Sequence, residues 1–182
     1  PYSIVSPPEE KTALSLCVNR VGKGPGSTYI HALKSGDPIS FFSPIGYFRV
    51  NETTTAPLFF IATGTGIAPI KSMIDHLLRS GCSRPIRLCW GLRAEQDLYY
   101  QDDFREWANR YPTFRYATTL SNGSPAYRGM RGRVINHLPH LIPADPLSEV
   151  YLCGNGEMIQ EARALLLSKG IPKQAIHFEK FY

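Results

Sequence analysis

The sequence predicts a two-domain α/β protein: a β-rich segment over residues 1–53, then a doubly wound domain over residues 54–182 carrying a five-stranded parallel sheet. Three observations predict it. Residues 1–50 consist of short runs rich in β-branched and aromatic residues, broken by Pro, Gly and Ser, which is the pattern of strands. The stretch NETTTAP at residues 51–57 is polar and ends in proline, as a linker does. Beyond it, apolar runs of strand length alternate with segments whose apolar residues recur at helical spacing. That alternation builds a parallel sheet with helices on both faces.

In the first segment YSIVS, ALSLCVNRV and DPISFFSPIGYFRV read as strands, and GKGPGSTYIHALKSGD as a glycine-rich turn running into a short helix. In the second, PLFFIAT is a strand. Ile70, Met73, Ile74, Leu77 and Leu78 then fall on one helical face, with Gly81 as the stop. IRLCWG is the second strand, and Phe104, Trp107, Ala108 and Tyr111 mark a helix that Pro112 ends. FRYATTLS is the third strand, VINHLPHLI a short helix and EVYLCG the fourth strand. Met158, Ala162, Leu165 and Leu166 mark a helix closed by Gly170, and AIHFEKFY supplies the fifth strand.

With 182 residues, 43% of them hydrophobic, the chain can bury a core, and no apolar run approaches the ~20 residues of a membrane span. It opens without a charged-then-apolar leader, so a cytoplasmic protein is expected. Cys17, Cys82, Cys89 and Cys153 are scattered and form no CxxC pair. This argues for reduced thiols and against a zinc site, an iron–sulfur cluster or a disulfide framework. The formal charge of +5 is mild, and no basic run carries interleaved aromatics, so nucleic acid is not an expected partner.

FIATGTGIAPIKSM, residues 60–73, places two glycines, two threonines and a proline where a strand hands over to a helix. In a doubly wound sheet, ligands bind beyond the carboxyl ends of the strands. Gly64 and Gly66 let the backbone come close, and the N–H groups of the coming helix point at a ligand, which suits a pyrophosphate. The spacing is G-x-G-x-x-P rather than G-x-G-x-x-G, and by itself it fits an ordinary tight turn equally well. The acid that a standard dinucleotide fold wants after its second strand is replaced by Gly91, Leu92 and Arg93. No Gly-Lys-Ser/Thr follows to make a P-loop.

PYSIVS at residues 1–6, GPGS at 24–27, GTGIAP at 64–69, CGNGEM at 153–158 and FEKF at 178–181 occur in that order. Together they resemble the ferredoxin–NADP reductase superfamily of flavoproteins, most closely the bacterial reductases that serve oxygenases or ferredoxins. The resemblance covers nearly the whole chain. It implies that residues 1–53 are the C-terminal part of an antiparallel FAD-binding β-barrel and residues 54–182 an NAD(P)-binding domain. Tyr2 and Ser3 match the last two residues of the family's Arg-x-Tyr-Ser signature. The arginine would precede Pro1, so the chain reads as N-terminally incomplete.

The resemblance implies a stacking role on the isoalloxazine for Tyr2 and a hydrogen bond to flavin N5 for Ser3. It assigns Cys17, Val18 and Asn19 to the FAD-lining strand, and Gly26 and Ser27 to the turn that cradles the FAD pyrophosphate. SPIGYF resembles a GPxGxF stretch with Ser43 in place of the first glycine. Gly64, Thr65, Gly66 and Pro69 would take the NAD(P) pyrophosphate, with Thr65 near nicotinamide and flavin, and Leu92 and Arg93 beside the nucleotide. Ser121 would open the adenosine-phosphate pocket. Cys153, followed by Gly154, would lie near the nicotinamide C4, with Glu157 and Met158 opening the next helix. Glu179 is the implied proton relay and Phe181 the aromatic that covers the flavin, with Tyr182 one residue beyond.

Ser3, Cys153 and Glu179 are therefore the implied catalytic residues, and no metal ligands are implied. NADP enzymes of the family carry a lysine where Asn19 stands and an arginine where Asn122 stands, so NADH is favoured over NADPH. Arg128, Arg131 and Arg133 lie close enough in sequence to substitute as phosphate ligands. The implied reaction is hydride transfer from NAD(P)H to FAD, with the reacting atoms ~3–3.5 Å apart. Single electrons then pass to an iron–sulfur centre on a ferredoxin-like partner or another part of the polypeptide. Two other readings stand beside it: a nucleotide-binding α/β enzyme of another class, and a flavin-binding regulatory domain without catalysis.

Overall fold

The apolar periodicity of the second half resolves into alternating elements in a computed structural model that describes residues 2–20, 22, 24–42, 45–142 and 147–181. The chain first forms α1 (Pro25–Ala32), then β1 (Leu58–Thr63), α2 (Ile67–Arg79), β2 (Ile86–Leu92), α3 (Gln101–Arg110) and β3 (Phe114–Leu120). There follow β4 (Met130–Arg131), α4 (Val134–Leu141), β5 (Glu149–Gly154), α5 (Gly156–Ser168) and β6 (Ile176–Lys180). All strand pairs in the sheet are parallel, in the order β4-β3-β2-β1-β5-β6. Successive strands build outward from β1 on one side, then the chain crosses back to lay β5 on the other. The order reverses between β1 and β5, which is where such sheets open a crevice at their carboxyl ends.

The sheet has six strands, not the five expected. The extra one, β4, is only two residues long and pairs with Thr119 and Leu120. It is stitched in by the Gly132 N–H to the Leu120 carbonyl at 2.9 Å and by the Thr119 hydroxyl to the Gly132 carbonyl at 2.7 Å. A two-residue strand carries no alternation, so pattern alone misses it.

Residues 1–53 correct a second expectation. Among the described residues they form no barrel sheet, only an antiparallel bridge between Ile4 and Leu16, with the Val5 N–H on the Ser15 carbonyl at 2.8 Å. Strand propensity does not make a sheet; the N–H and C=O groups of each strand need a neighbour to pair with. Apolar side chains of that segment are left uncovered, with Phe42, Ile45 and Tyr47 about nine-tenths exposed. Ser43, Pro1 and Tyr182 lie outside the described residues.

The core fills both faces of the sheet. On one, Leu58, Phe60, Ala62, Leu88 and Trp90 pack with Ile67, Ile70 and Ile74 of α2 and Phe104 of α3. On the other, Phe59, Ile61, Cys89, Val150 and Leu152 meet Val134 and Leu138 of α4 and Met158, Ala162 and Leu166 of α5. Burial on both faces explains why β1 and β5 read as continuous apolar runs and not as alternations. Lys71 of α2 is only 9% exposed, yet its ammonium is met by Asp103 at 3.1 Å and by the rings of Tyr100 and Trp107, each 5.0 Å away. That satisfies a buried cation and ties α2 to α3.

The linker and the first segment are fastened to this domain by polar bonds. Arg84 donates to the Ala56 carbonyl at 2.7 Å and the Asn51 carbonyl at 2.9 Å, while the Asn51 N–H reaches the Tyr151 hydroxyl at 2.8 Å. The Ser72 hydroxyl donates to the Ser6 carbonyl at 2.8 Å, beside the buried Val5. His76 of α2 sits between Glu9 of the first segment and Glu52 of the linker. The hydrogen bond to Glu9 raises the His76 pKa above its ordinary 6.5, and His76 in turn lowers that of Glu9 below 4.5.

This triad makes a pH prediction. Arg79, on the same helix, is the other charge acting on Glu9. A raised histidine pKa gives stability that is complete below 6.5 and disappears as pH rises through the folded value. The lowered Glu9 pKa gives stability that is complete above 4.5 and disappears as pH falls through its own folded value. The contribution therefore peaks in mildly acidic solution. Thermal melts of His76→Gln should show a lower Tm than the parent near pH 6 and a shrinking difference toward pH 9. A difference that does not change with pH contradicts the assignment.

Candidate functional site

Two helices point their N-termini at the crevice between β1 and β5, and they differ in one respect. The first turn of α5 is satisfied from within: the Asn155 side chain accepts from the Glu157 N–H at 2.8 Å and the Met158 N–H at 3.3 Å, and Glu157 places a negative charge there. α2 has no side-chain cap and no acidic residue in its first turn. Its positive end is thus left to an anion from outside the chain. A short 3-10 turn, Gly64–Gly66, leads into it, with Gly64 at φ 53°. A Cβ added at Gly64 would meet nothing within 4 Å, so this face of the turn is open.

The turn is set against β5 at backbone contact. A Cβ on Gly66 would collide with the Cys153 carbonyl and lie 2.7 Å from Gly154 Cα. Gly154, at φ 130°, has no room for a Cβ either, because Thr63 fills that space. The Asn155 N–H donates to the Thr63 hydroxyl at 3.0 Å, and the Trp90 indole N–H donates to the Gly64 carbonyl at 3.0 Å. Gly66 is required by close approach, and Gly154 by close approach together with its positive φ.

Two clefts meet over this turn. One, of about 1250 Å³, runs from Thr63, Gly64 and Thr65 past Leu92 and Arg93 to Ser121 and Asn122, with Met158 on its far side. The other, of about 1140 Å³, is lined by Tyr2, Ser3, Gly26, Ser27, Pro69, Glu179 and Phe181. Cys17, Val18, Asn19, Gly64 and Thr65 line both. Most of the residues singled out in the sequence therefore surround one continuous space. Cys153, Gly154 and Gly66 do not line it; they are buried directly beneath it.

At the junction, the Ser3 hydroxyl donates to Glu179 Oε1 at 3.0 Å, joining residues 176 positions apart. Glu179 is the register partner of Cys153 across β5 and β6, and Cys153 is that of Ala62 on β1. Burial, with Glu179 nearby, pushes the Cys153 thiol well above its ordinary range, so it is a neutral, polarisable group and not a nucleophile. The Phe181 N–H bonds the Gly154 carbonyl at 3.1 Å, which fixes the chain as it leaves β6. Tyr2 lies against Gly26: a Cβ there would come within 2.5 Å of the Tyr2 hydroxyl. Tyr99 and Tyr100 line the first cleft with Cys17, whose thiol pKa is raised by burial. Tyr100 holds a left-handed φ of 59° at the head of α3.

Of the three arginines near Ser121, two are engaged elsewhere. Arg131 donates to the carbonyls of Ser124 and Tyr127, and Arg133 pairs with Glu161 at 3.2 Å and Glu157 at 3.6 Å. The Ser121 hydroxyl donates to the Leu92 carbonyl at 3.3 Å. Sequence reasoning missed Thr63, Trp90, Tyr99, Tyr100 and Asn155. Asn155 carried a signal, since an asparagine ahead of Gly-Glu-Met is a standard helix cap. Thr63 and Trp90 act through tertiary contacts that no local pattern announces.

The residues present fit the groups that a dinucleotide and a flavin would bring. The first cleft offers an uncapped helix end, the open backbone at Gly64 and hydroxyls; the second offers aromatic rings, a serine–carboxylate pair and the start of α1. No group of three or more His, Cys, Asp or Glu among the described residues is placed to hold a metal, and none of the described helices is long and apolar enough to cross a membrane.

Comparison with known proteins agrees with this architecture. The family model of the oxidoreductase NAD-binding domain matches residues 60–164. Ferredoxin–NADP reductase B of Sorangium cellulosum (strain So ce56) is 35% identical over 187 residues, covering 99% of this chain and 77% of that protein. The terephthalate 1,2-dioxygenase reductase component 1 of Comamonas sp. is 33% identical over 181 residues, covering 99% of this chain but 54% of its own length. The crystal structure of Amycolatopsis cytochrome P450 reductase GcoB superposes with a TM-score of 0.89 at 29% identity, over 99% of this chain and 55% of that one. The chain thus spans about half the length of the last two.

The Gly66 contact generates a prediction. Gly66→Ala forces a Cβ onto backbone atoms that cannot step aside, so it should destabilise by about 2 kcal/mol or more. Denaturant melts would measure this, and a stability equal to the parent would mean that the turn does not rest on β5.

Proposed function

Because this chain belongs to the oxidoreductase NAD-binding family, alongside ferredoxin–NADP reductases and oxygenase reductase components, we propose that it transfers reducing equivalents from NAD(P)H through FAD to an iron–sulfur acceptor. Residues 54–182 are the nicotinamide-nucleotide portion. Residues 1–53 are the flavin-facing portion, and their uncovered apolar side chains suit a segment that packs against further strands. The observation that carries the reading is the junction of the two clefts at Gly64, Thr65 and Cys17–Asn19, with the Ser3–Glu179 bond across it. An acceptor of the ferredoxin or oxygenase type accords with the relatives' names, and four free thiols accord with a cytoplasmic setting.

Bound FAD would supply the redox chemistry that links a two-electron hydride donor to a one-electron acceptor. The chain's own residues supply position. Gly64, Thr65 and the open end of α2 seat the dinucleotide pyrophosphate, with Gly66 and Gly154 beneath them; Leu92, Arg93, Ser121 and Met158 bound the rest of the nucleotide. Tyr2 and Phe181 are flat faces for the flavin ring, and Gly26 and Ser27 sit at the start of α1 for its phosphates. Glu179 Oε1 accepts the Ser3 proton and so orients the hydroxyl, leaving the Ser3 oxygen lone pairs for a donor in the cleft. Cys153 stays protonated and supports the floor on which the nicotinamide would lie.

NADH is the favoured donor on this reading. A 2′-phosphate dianion calls for a bidentate guanidinium, and Arg131 and Arg133 already have partners within the chain.

Anaerobic mixing of the FAD-loaded protein with NADH or NADPH tests the reading. NADH should bleach the flavin band faster than NADPH, and Glu179→Gln should slow bleaching by about tenfold to a hundredfold with flavin affinity unchanged. Cys153→Ala should also slow it. A bound flavin that neither nucleotide reduces would overturn the proposal in favour of a non-catalytic flavin domain.

A further inference from the structure

Trp90 sits at the carboxyl end of β2, in register with Ala62 on β1 and Thr118 on β3, and is wholly buried. Its ring is fixed by edge-on contacts: Tyr99 at 4.9 Å and 76°, Phe104 at 5.8 Å and 89°. The small Ala62 beside it leaves the indole room to reach under β1 to the phosphate turn. There its N–H donates to the Gly64 carbonyl at 3.0 Å. The same carbonyl accepts from the Ile67 N–H, so both of its lone pairs are taken from within the protein.

This matters because of what a carbonyl would do if it turned the other way. A peptide unit presents its N–H on one side and its C=O on the other. With Gly64 at φ 53° and its carbonyl drawn down onto Trp90, the oxygen dipole is held on the protein side of the turn. Without the indole only the Ile67 N–H holds this carbonyl, the peptide can tilt more easily toward the cleft, and an oxygen facing the cleft repels a phosphate. Glycine makes that tilt easy, since it has no Cβ to oppose it.

We infer that Trp90 is a positioning residue for pyrophosphate: its indole N–H holds the Gly64 peptide in the anion-accepting orientation. The inference rests on the proposed nucleotide-binding reading of the first cleft and adds a specific residue to it. The ring contact with Tyr99 extends the arrangement. Tyr99 lines the first cleft together with Cys17 of the first segment, so the ring that fixes Trp90 also forms part of the cleft wall.

The test compares a pyrophosphate-bearing ligand with one that lacks it. Trp90→Phe keeps an aromatic ring and removes the N–H donor. By isothermal titration calorimetry on this chain, the dissociation constant for ADP-ribose should rise about tenfold, while that for adenosine changes by less than about twofold. A rise for neither ligand, or an equal rise for both, overturns the inference and leaves the nucleotide-binding reading standing. Failure of the parent chain to bind ADP-ribose overturns both.

Should Trp90→Phe not fold, a second protein decides. Trp90 and Trp107 are the two tryptophans of the chain, so Trp107→Phe leaves Trp90 as its sole indole. ADP-ribose should then shift the Trp90 emission and adenosine should not. Emission indifferent to ADP-ribose overturns the inference.

Discussion

Gly66 rests on the carbonyl of Cys153, and Gly154 on Thr63, so the end of β1 and the end of β5 meet at backbone distance. Everything else about the site follows from that contact. It places the uncapped start of α2 beside the capped start of α5, at the position where the strand order reverses. It also brings β6, paired to β5, close enough for Glu179 to meet Ser3 from the first segment. Any side chain at residue 66 or 154 would wedge these strands apart at the site itself.

Polar groups around this contact are divided by purpose. Those that fix backbone are satisfied within the chain: Asn155 caps α5, Thr63 takes the Asn155 N–H, and Trp90 takes up the Gly64 carbonyl. Those that line the clefts include groups with capacity to spare, such as the open end of α2 and the oxygen of Ser3. A buried polar group is costly unless paired, so a scaffold that meets its own needs can afford an unpaired anion seat only where solvent or a ligand reaches it. Arg131 and Arg133 show the same division on the outer rim, where carbonyls and carboxylates already hold them.

The α/β half was legible in the sequence because its longer helices carry a period and its buried strands read as apolar runs between them. EVYLCG is β5 to the residue, and Ile70, Met73, Ile74, Leu77 and Leu78 lie on the helix α2 that they announced. Gly81 and Gly170 end their helices at φ 75° and 86°, as glycine allows. β4 was not legible, since Met130 and Arg131 make a strand only by virtue of Thr119 and Gly132. The first segment misled for the opposite reason: its residues suit strands, but pairing is a property of neighbours. Within the site, glycines and termini of strands were readable, whereas Trp90 and Thr63 act across the sheet. Cys153, singled out in the sequence, lies under the cleft floor and not on it.

The account's central claim is spatial, and amide chemical shifts test it directly. On titrating NAD⁺ into isotopically labelled protein, the largest ¹H–¹⁵N changes should fall on Gly64, Thr65 and Gly66, and on Leu92, Arg93 and Asn155 around them. Changes gathered instead at the opposite edge of the sheet, near Arg84 and Glu149, with the Gly64–Gly66 amides unmoved, would contradict it.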